Sequence, residues 1–321
     1  MEKTFLKDKS IEKQTFSSPG KLLLTGEYLV LKGAQSIGLK CQFQQDLEIE
    51  KNTEEHYSWQ ALDPSGETWI DIKFHDRNGA FEVFDDYGSQ AISKEKLRTL
   101  FALLHQVRKQ RPDLFASHLS FKSHLTFERE WGLGSSSTLI ANLAKWSGAD
   151  PFELSDNSFG GSAYDVAVGM ANQHILYCIE EDERHVQNIN FNPQFRENIF
   201  FVHLNEKRNS RAAIQAFYKE IGSLELQHYI DTLSAISHEV ISASALEEFE
   251  DALFEHETIL SKILKEKTVK ERLFSDYRGG ICKSLGAWGG DFILATGNKE
   301  NWAYFREKGY NQIMAFDELI A

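Results

Sequence analysis

Cysteine and proline are scarce in this sequence, with three and five residues respectively among 321. The cysteines Cys41, Cys178 and Cys282 lie far apart and form no Cys-x-x-Cys pair. That pattern argues against a disulfide framework or a metal cluster and favours a reducing compartment, with the thiols in the core. The low proline content and 41% hydrophobic residues are typical of a globular protein.

Positive charge is also in short supply. Lysine and arginine total 35 against 48 acidic residues, which gives a formal net charge of −13. Because binding to a phosphate backbone needs a basic stripe, this balance excludes nucleic acid as an expected partner. No apolar stretch has the length of a membrane span, and residues 1–13 are charged, without the apolar core of a signal peptide. We expect a cytoplasmic protein with no membrane partner. The sequence leaves open whether it forms a homodimer.

Two common catalytic signatures are absent from the sequence. It contains no His-Glu-x-x-His, and its eleven histidines are scattered without the spacing of metal ligands, which disfavours a zinc enzyme. It also lacks the Gly-x-Ser-x-Gly turn of serine hydrolases. These absences direct attention to the glycine-rich stretches.

One such stretch lies between a predicted strand at 119–127 and a predicted helix at 135–146. Its residues are Gly132, Leu133, Gly134, Ser135, Ser136 and Ser137. Glycines allow a tight turn with converging N–H groups, hydroxyls add donors, and the helix directs the positive end of its dipole to the same point. The stretch therefore predicts an anion cradle, although an ordinary helix cap is the alternative. No lysine precedes the serines, so a phosphate-binding lysine must come from elsewhere.

The pattern along the chain predicts a mixed α+β fold. A helical repeat is expected at 97–107 and two helices between 210 and 267. A domain boundary near Asn192 would divide the chain into 1–193 and 194–321. The predicted strands are 21–24, 28–31, 37–43, 47–50, 57–62, 68–74, 119–127, 174–179, 199–204, 292–295 and 312–316.

Three glycine-rich stretches with polar residues follow in a specific order. They are Pro19-Gly20-Lys21 with Gly26-Glu27-Tyr28, the loop at 132–137, and the run from Lys283 to Gly289-Gly290-Asp291. In order and content they resemble the three motifs of the GHMP small-molecule kinases, over nearly the whole chain. Ala163-Tyr164-Asp165-Val166-Ala167 is similar to the Gly-Tyr-Asp-Ile-Ala type of the bacterial branch. Within the superfamily the likeness is closest to phosphomevalonate kinase and next to mevalonate kinase, which typically has His in place of Tyr28. It rests on the Gly-Glu-Tyr sequence, on Gly161-Ser162 before Tyr164, and on the Gly-Gly-Asp sequence.

The resemblance implies a two-domain fold, with an N-terminal ATP-binding domain like domain 2 of ribosomal protein S5 and a ferredoxin-like C-terminal domain. It implies ATP and Mg²⁺ as cofactors and a hydroxylated or phosphorylated small acid as the substrate. Asp165 would accept or orient the hydroxyl proton, and Lys21 would supply positive charge beside it and the γ-phosphate. A turn-forming Asp and a solvated Lys are the alternatives.

Other site residues follow from the same resemblance. The loop residues Gly132 to Ser137 would hold the nucleotide, with the Ser136 hydroxyl on Mg²⁺. Glu153, about a dozen residues before Asp165, has the spacing of a second metal ligand, with surface solvation as its alternative. The residues expected at the acceptor are Glu27, Tyr28, Ser162, Gly286, Gly289 and Gly290.

Phosphomevalonate is the first expected acceptor and mevalonate the second, with a sugar or other hydroxylated metabolite as an alternative. A diphosphomevalonate decarboxylase is set behind these, because that family has an Asp in its third motif, where this chain has Gly286, and none at the Asp165 position. A non-catalytic sensor that binds ATP is the alternative outside enzymes.

Overall fold

The computed structural model describes residues 13–86, 93–206, 215, 218–219, 221–286 and 291–321. In chain order its strands and α-helices are β1 (Gln14–Leu23), β2 (Ser36–Lys51), β3 (Tyr57–Leu62), β4 (Thr68–Arg77), β5 (Ala80–Asp86), α1 (Lys94–Gln110), β6 (Leu119–Leu125), α2 (Ser135–Ser147), α3 (Pro151–Asp156), α4 (Tyr164–Met170), β7 (His174–Glu180), β8 (Glu183–Ile189), β9 (Ile199–His203), α5 (Ser223–Ser242), α6 (Leu246–Leu264), α7 (Val269–Leu273), β10 (Cys282–Ser284), β11 (Phe292–Thr296), α8 (Trp302–Glu307), β12 (Ile313–Ala315) and α9 (Phe316–Leu319).

The chain forms two compact units that are interleaved in sequence. Unit 1 contains residues 1–18, 44–128 and 138–160, and unit 2 contains residues 19–43, 129–137 and 161–321. Strand β2 and helix α2 each begin in unit 2 and continue into unit 1. The predicted boundary near Asn192 falls inside unit 2, so the division into 1–193 and 194–321 stays a prediction.

Unit 1 is built on the sheet order β5-β4-β3-β6-β2. Strand β3 runs parallel to β6, whereas the remaining neighbours are antiparallel. Asn78 and Gly79 both have positive φ in the turn between β4 and β5, as a tight hairpin requires. Alternate residues of β3, such as Tyr57 and Trp59, are buried. The sheet contains the strands predicted at 57–62 and 68–74.

Unit 2 contains the first part of β2 beside β7 and β8, and a separate antiparallel sheet in the order β10-β11-β9-β12. Strands β9 and β11 are buried at every residue, because both lie inside this second sheet. Aromatic and aliphatic side chains from β9, β11, α7 and α8 form one core cluster, with Phe200, Phe274 and Phe305 at 1% exposure or less. Cys282 belongs to the same cluster, so this packing fixes β10.

Most predicted elements are present, and the exceptions have identifiable causes. The predicted strand at 28–31 is wrong, because Leu29–Lys32 forms a 3-10 helix. The backbone turns at Gly26 and Tyr28, both with positive φ, and the Val30 N–H donates to the Gly26 carbonyl. The strands expected at 37–43 and 47–50 are one continuous strand, β2. Strand β8 is missing from the prediction because its side chains are mostly exposed and polar.

Two composition-based expectations can be compared with the structure. Cys41, Cys178 and Cys282 are free and buried, which confirms them as core thiols. Among the described residues, every helix is too short or too polar to cross a membrane.

Candidate active site

The glycine-serine loop begins after a 3-10 turn at Arg129–Trp131 and leads directly into α2. Gly132 and Gly134 have φ values of +67° and +90°, a region that side chains disfavour. Leu133 between them is fully buried and anchors the loop. The Ser137 hydroxyl donates to the Gly134 carbonyl at 2.9 Å and closes the first turn of the helix, while Ser136 is exposed.

Lys21 on β1 is the lysine that reaches this loop. Its backbone N–H donates to the Leu133 carbonyl, and its Nζ donates to the Gly132 carbonyl, both at 3.0 Å. Burial lowers the pKa of Lys21, but Tyr164 and Asp165 raise it, and the net shift is upward. The ammonium group therefore stays charged throughout the neutral range.

Asp165 lies in the first turn of α4, and its Oδ1 accepts from the Val166 N–H at 3.0 Å. Tyr164, its neighbour, places its ring 5.6 Å from the Lys21 Nζ. Ala163 just before the helix has a φ of +56°, a left-handed conformation that costs a non-glycine residue about 1 kcal/mol or more. Lys21 thus contacts the glycine-serine loop and lies within electrostatic reach of Asp165.

A cavity of about 280 Å³ adjoins these residues within unit 2. Its polar lining comes from Lys21, Tyr28, Ser162, Tyr164 and Asp291. Its apolar and backbone walls come from Leu22, Leu23, Val30, Leu31, Trp131, Gly132, Leu285, Gly286 and Phe292. Tyr28, with a φ of +65°, is held by the Tyr218 hydroxyl, which donates to the Tyr28 carbonyl at 2.7 Å. Strained backbone beside a polar cavity is typical of a functional site.

Asp291 places its carboxylate directly against the loop. A Cβ added to Gly132 would lie 1.9 Å from the Asp291 Oδ2, so only glycine fits at this position. The Asp291 backbone carbonyl accepts from the Leu204 N–H at 2.8 Å, which ties the carboxylate to the sheet. The cavity therefore has a cation, Lys21, and a carboxylate, Asp291, on its walls.

A buried ionisable cluster lies in unit 2, formed by Glu27, His256, Glu257 and Lys283. The Lys283 Nζ is 2.6 Å from the Glu27 Oε1 and 3.8 Å from the Glu257 Oε1, and it also donates to the Ser284 carbonyl at 2.7 Å. The Gly26 N–H donates to the His256 Nε2 at 2.9 Å. Each of the four side chains is at most 4% exposed.

Protonation within this cluster follows from burial and distance. Burial, and then the charge of Lys283, lower the pKa of His256 well below its usual range, so the ring is neutral and its Nε2 accepts from Gly26. Burial raises the pKa of Glu257 to about 8 against the opposing effect of Lys283. Glu27, at 2.6 Å, is the closer carboxylate, and it is the one that pairs with Lys283.

No family model and no curated protein matches this sequence. Solved structures do match over almost the full chain. The L. major mevalonate kinase in complex with R-mevalonate has a TM-score of 0.66 at 14% identity, covering 96% of each chain. The Streptococcus pneumoniae phosphomevalonate kinase in complex with phosphomevalonate and AMPPNP has a TM-score of 0.62 at 15% identity, covering 94% of this chain and 99% of that one. The Lactococcus lactis galactokinase complexed with galactose has a TM-score of 0.65 at 13% identity, covering 95% and 93%.

This chain has the GHMP kinase fold. The match confirms the fold class, because the structurally similar proteins are two-domain GHMP kinases. Identities of 13–15% carry no information on the acceptor, so the reaction has to be argued from the site.

Five of the sequence-predicted site residues line the cavity described above, namely Lys21, Tyr28, Gly132, Ser162 and Gly286. Asp165 is not among its lining residues. Gly289 and Gly290 lie outside the described residues. Glu27 is buried in its ion pair with Lys283, so its expected role at the acceptor stays a prediction. Glu153 is exposed on α3 in unit 1, which fits its surface alternative, and its metal role also stays a prediction.

Two features of the site are missing from the sequence interpretation. The cluster of Glu27 with Lys283, His256 and Glu257 was not predicted, nor was the contact of Asp291 with the loop. A signal for the cluster exists in α6, where Phe249, Leu253 and Leu260 form a buried stripe. His256 and Glu257 lie on the same buried side, between Leu253 and Leu260. Polar residues at core positions indicate a buried polar or charged side chain that pairs with them.

The packing around Gly134 predicts a strong effect of a methyl group there. Its Cβ would lie 2.5 Å from the Ser137 Oγ and 3.0 Å from the Lys21 Cε. Gly134→Ala should therefore displace Lys21 and lower the free energy of unfolding by about 1–3 kcal/mol more than a glycine replacement in open space, since overpacking strains a tight site. Gly79→Ala is the matched control, with a φ of +89° and open space around its Cβ. Equal Tm values in the two variants would contradict this packing of the loop.

Glu257 predicts a pH dependence of stability. The unfolded carboxyl ionises near its ordinary pKa of 4.5, whereas the folded one keeps its proton until about pH 8. The folded state therefore binds one more proton between these values, and stability falls by up to about 1.4 kcal/mol per pH unit as pH rises through this window. Glu257→Gln keeps the shape of the protonated acid but has no proton to release. Its stability should therefore lack this dependence on pH.

The measurement is thermal unfolding of the wild type and Glu257→Gln from pH 5 to pH 8.5. The Tm of the variant should exceed that of the wild type at pH 8.5, and the difference should narrow toward pH 5. Glu255→Gln changes an exposed residue of the same helix and should follow the wild type throughout. Parallel curves for Glu257→Gln and the wild type would refute a retained proton on Glu257.

Proposed function

We propose that this protein is an ATP-dependent kinase that transfers the γ-phosphoryl group to a small hydroxylated acid, with phosphomevalonate first and mevalonate second. One observation carries the proposal: Lys21 binds the glycine-serine loop through Gly132 and lies beside Tyr164-Asp165. A cation, an anion cradle and a carboxylate in one place are what phosphoryl transfer needs.

In the proposed phosphoryl transfer, Asp165 and Lys21 have different roles. The acceptor hydroxyl oxygen attacks the γ-phosphorus, its proton passes to the Asp165 carboxylate, and the bond from the γ-phosphorus to the bridging oxygen breaks to release ADP. Lys21 stabilises the charge on the transferring group. Its raised pKa keeps this charge present while Asp165 acts as the base.

The loop residues fit a nucleotide triphosphate. Ser135 and Ser136 lie in the first turn of α2, at the positive end of the helix dipole. The N–H groups and hydroxyls at this end of the helix attract anions. The site also offers oxygen ligands of the kind Mg²⁺ prefers, in the Ser136 hydroxyl and the Asp291 carboxylate. Mg²⁺ held by these oxygens would supply positive charge that neutralises the phosphates.

The cavity lining supports a branched hydroxy acid over a sugar. Leu22, Val30 and Leu285 are among its several apolar residues, and such walls suit methyl and methylene groups. The likeness to a galactokinase complexed with galactose keeps a sugar as the second candidate.

A coupled ADP-release assay over phosphomevalonate, mevalonate, galactose and homoserine tests the proposal. We expect turnover with phosphomevalonate or mevalonate, with a higher kcat/KM than for galactose. Turnover of galactose and of no other acceptor would refute the hydroxy-acid substrate and support a sugar kinase. ATP binding in calorimetry without turnover of any acceptor would refute the kinase and favour a non-catalytic sensor.

A further inference from the structure

We propose that the buried Glu27–Lys283 ion pair is a positioning device for the acceptor, which holds both sides of the cavity in the geometry that binding needs. This inference rests on the proposed kinase function. Neither residue lines the cavity, so the pair acts through its neighbours rather than by touching the substrate.

The two members of the pair come from the first and third glycine-rich stretches. Glu27 directly precedes Tyr28, and Lys283 precedes Leu285 and Gly286, and these three neighbours line the cavity. The Lys283 Nζ reaches the Glu27 Oε1 at 2.6 Å with exposures of 0% and 1%. Because both charges are shielded from water, they are held in one geometry, and their flanking residues are held with them.

The turn at Glu27 has further support from α6. The Gly26 N–H donates to the His256 Nε2, and the backbone N–H groups of Leu29 and Val30 donate to the Glu27 and Gly26 carbonyls at 2.8 and 2.9 Å. A Cβ at Gly26 would collide with Ser36, so the turn is packed tightly. These contacts hold Tyr28 in its positive-φ conformation, which an isolated chain would abandon.

Glu257 makes this positioning dependent on pH. Its Oε1 lies 3.8 Å from the Lys283 Nζ, farther than the Glu27 Oε1 at 2.6 Å. The other titratable groups around it are His256, Cys282 and, along the small cavity beside it, Lys270 and Glu271. With its pKa at about 8, Glu257 becomes a second carboxylate competing for one ammonium group above that pH, and the hold of Lys283 on Glu27 weakens.

The first experiment measures kinetics in Glu27→Met/Lys283→Met, which replaces the pair by apolar side chains of similar volume. Such replacements of buried pairs commonly keep or raise stability, whereas single variants leave one charge buried alone. The double variant should unfold at the Tm of the wild type. Its KM for phosphomevalonate should be about 10-fold to 100-fold higher, since the acceptor is misplaced. Its KM for ATP should change less than about twofold. Wild-type KM values for both substrates would overturn the positioning role.

The pH profile separates positioning from a merely structural role. In the wild type, the KM for phosphomevalonate should rise above pH 8, and in Glu257→Gln it should be flat from pH 6.5 to pH 9. Glu255→Gln, on the exposed face of α6, should keep the wild-type rise. A rise that persists unchanged in Glu257→Gln would overturn the part assigned to Glu257.

Hydrogen exchange of the full chain without substrate makes the test independent of the acceptor. The amides of Leu29, Val30 and Leu285 should exchange about tenfold faster or more in the double variant, because their protection comes from local structure that the pair holds. The β7 amide of Ile175 is the internal reference. Unchanged exchange at the first three amides would overturn the proposal, whereas a wild type without kinase activity but with this exchange difference would refute only the proposed function.

Discussion

Replacement of Asp165 by Asn should lower kcat by about 10²–10⁴ if the carboxylate is the general base. Asparagine keeps the shape of the side chain and can keep the acceptor oxygen for the Val166 N–H, which lies 3.0 Å from the Asp165 Oδ1. It cannot take up a proton at neutral pH. The fold, the Tm and the affinity for AMPPNP should therefore change little while turnover is lost, as measured by coupled ADP release at saturating phosphomevalonate.

The control for this variant is Asp182→Asn, which lies in the exposed turn between β7 and β8 with a φ of +66°. Asparagine accepts that conformation readily, so stability and kcat should both stay at wild-type values. If Asp165→Asn retains a kcat within about threefold of the wild type, Asp165 is not the base, and the turn-forming alternative for this residue gains support.

Lys21→Met is expected to lower kcat by about 10²–10³, because a charged donor at the transferring phosphoryl group is lost. Methionine keeps the aliphatic stem that packs over Gly134 but makes no hydrogen bond to the Gly132 carbonyl, which accepts from Lys21 at 3.0 Å in the wild type. Lys21→Arg should restore the positive charge but place it differently from the lysine ammonium group, and should give an intermediate kcat. The measurement is steady-state kinetics with ATP and phosphomevalonate varied separately.

Lys299→Met, at an exposed position before α8, is the matched control and should behave as the wild type. A second check uses pH. Since Tyr164 and Asp165 raise the Lys21 pKa, kcat should show no loss from deprotonation of this lysine up to about pH 9. A wild-type kcat in Lys21→Met would remove Lys21 from the chemistry and leave it a structural residue of the loop.

Local patterns predict much of this molecule because the physics behind them is local. The glycine-serine stretch requires positive φ at Gly132 and Gly134 and starts a helix at Ser135, and the structure has both. The regular apolar repeat of α1 and the alternation of β3 likewise depend on neighbours within a few residues. Strand β8 pairs with β7 although its own side chains are mostly exposed and polar. The 3-10 helix at Leu29–Lys32 follows a turn in which Gly26 and Tyr28 bond to His256 and Tyr218, partners that no short window of sequence contains.

The sequence by itself determined the glycine turn at the start of α2 and the order of the three glycine-rich stretches, while the anion cradle and the pairing of Lys21 with Asp165 that the resemblance implied stay predictions. Only the tertiary structure decided that Glu27 is buried beside Lys283, with His256 and Glu257 from α6 around them. It also placed Asp291 against Gly132. The reason is that a cradle follows from backbone geometry over a few residues, whereas the burial of a charge depends on which distant side chain arrives to neutralise it.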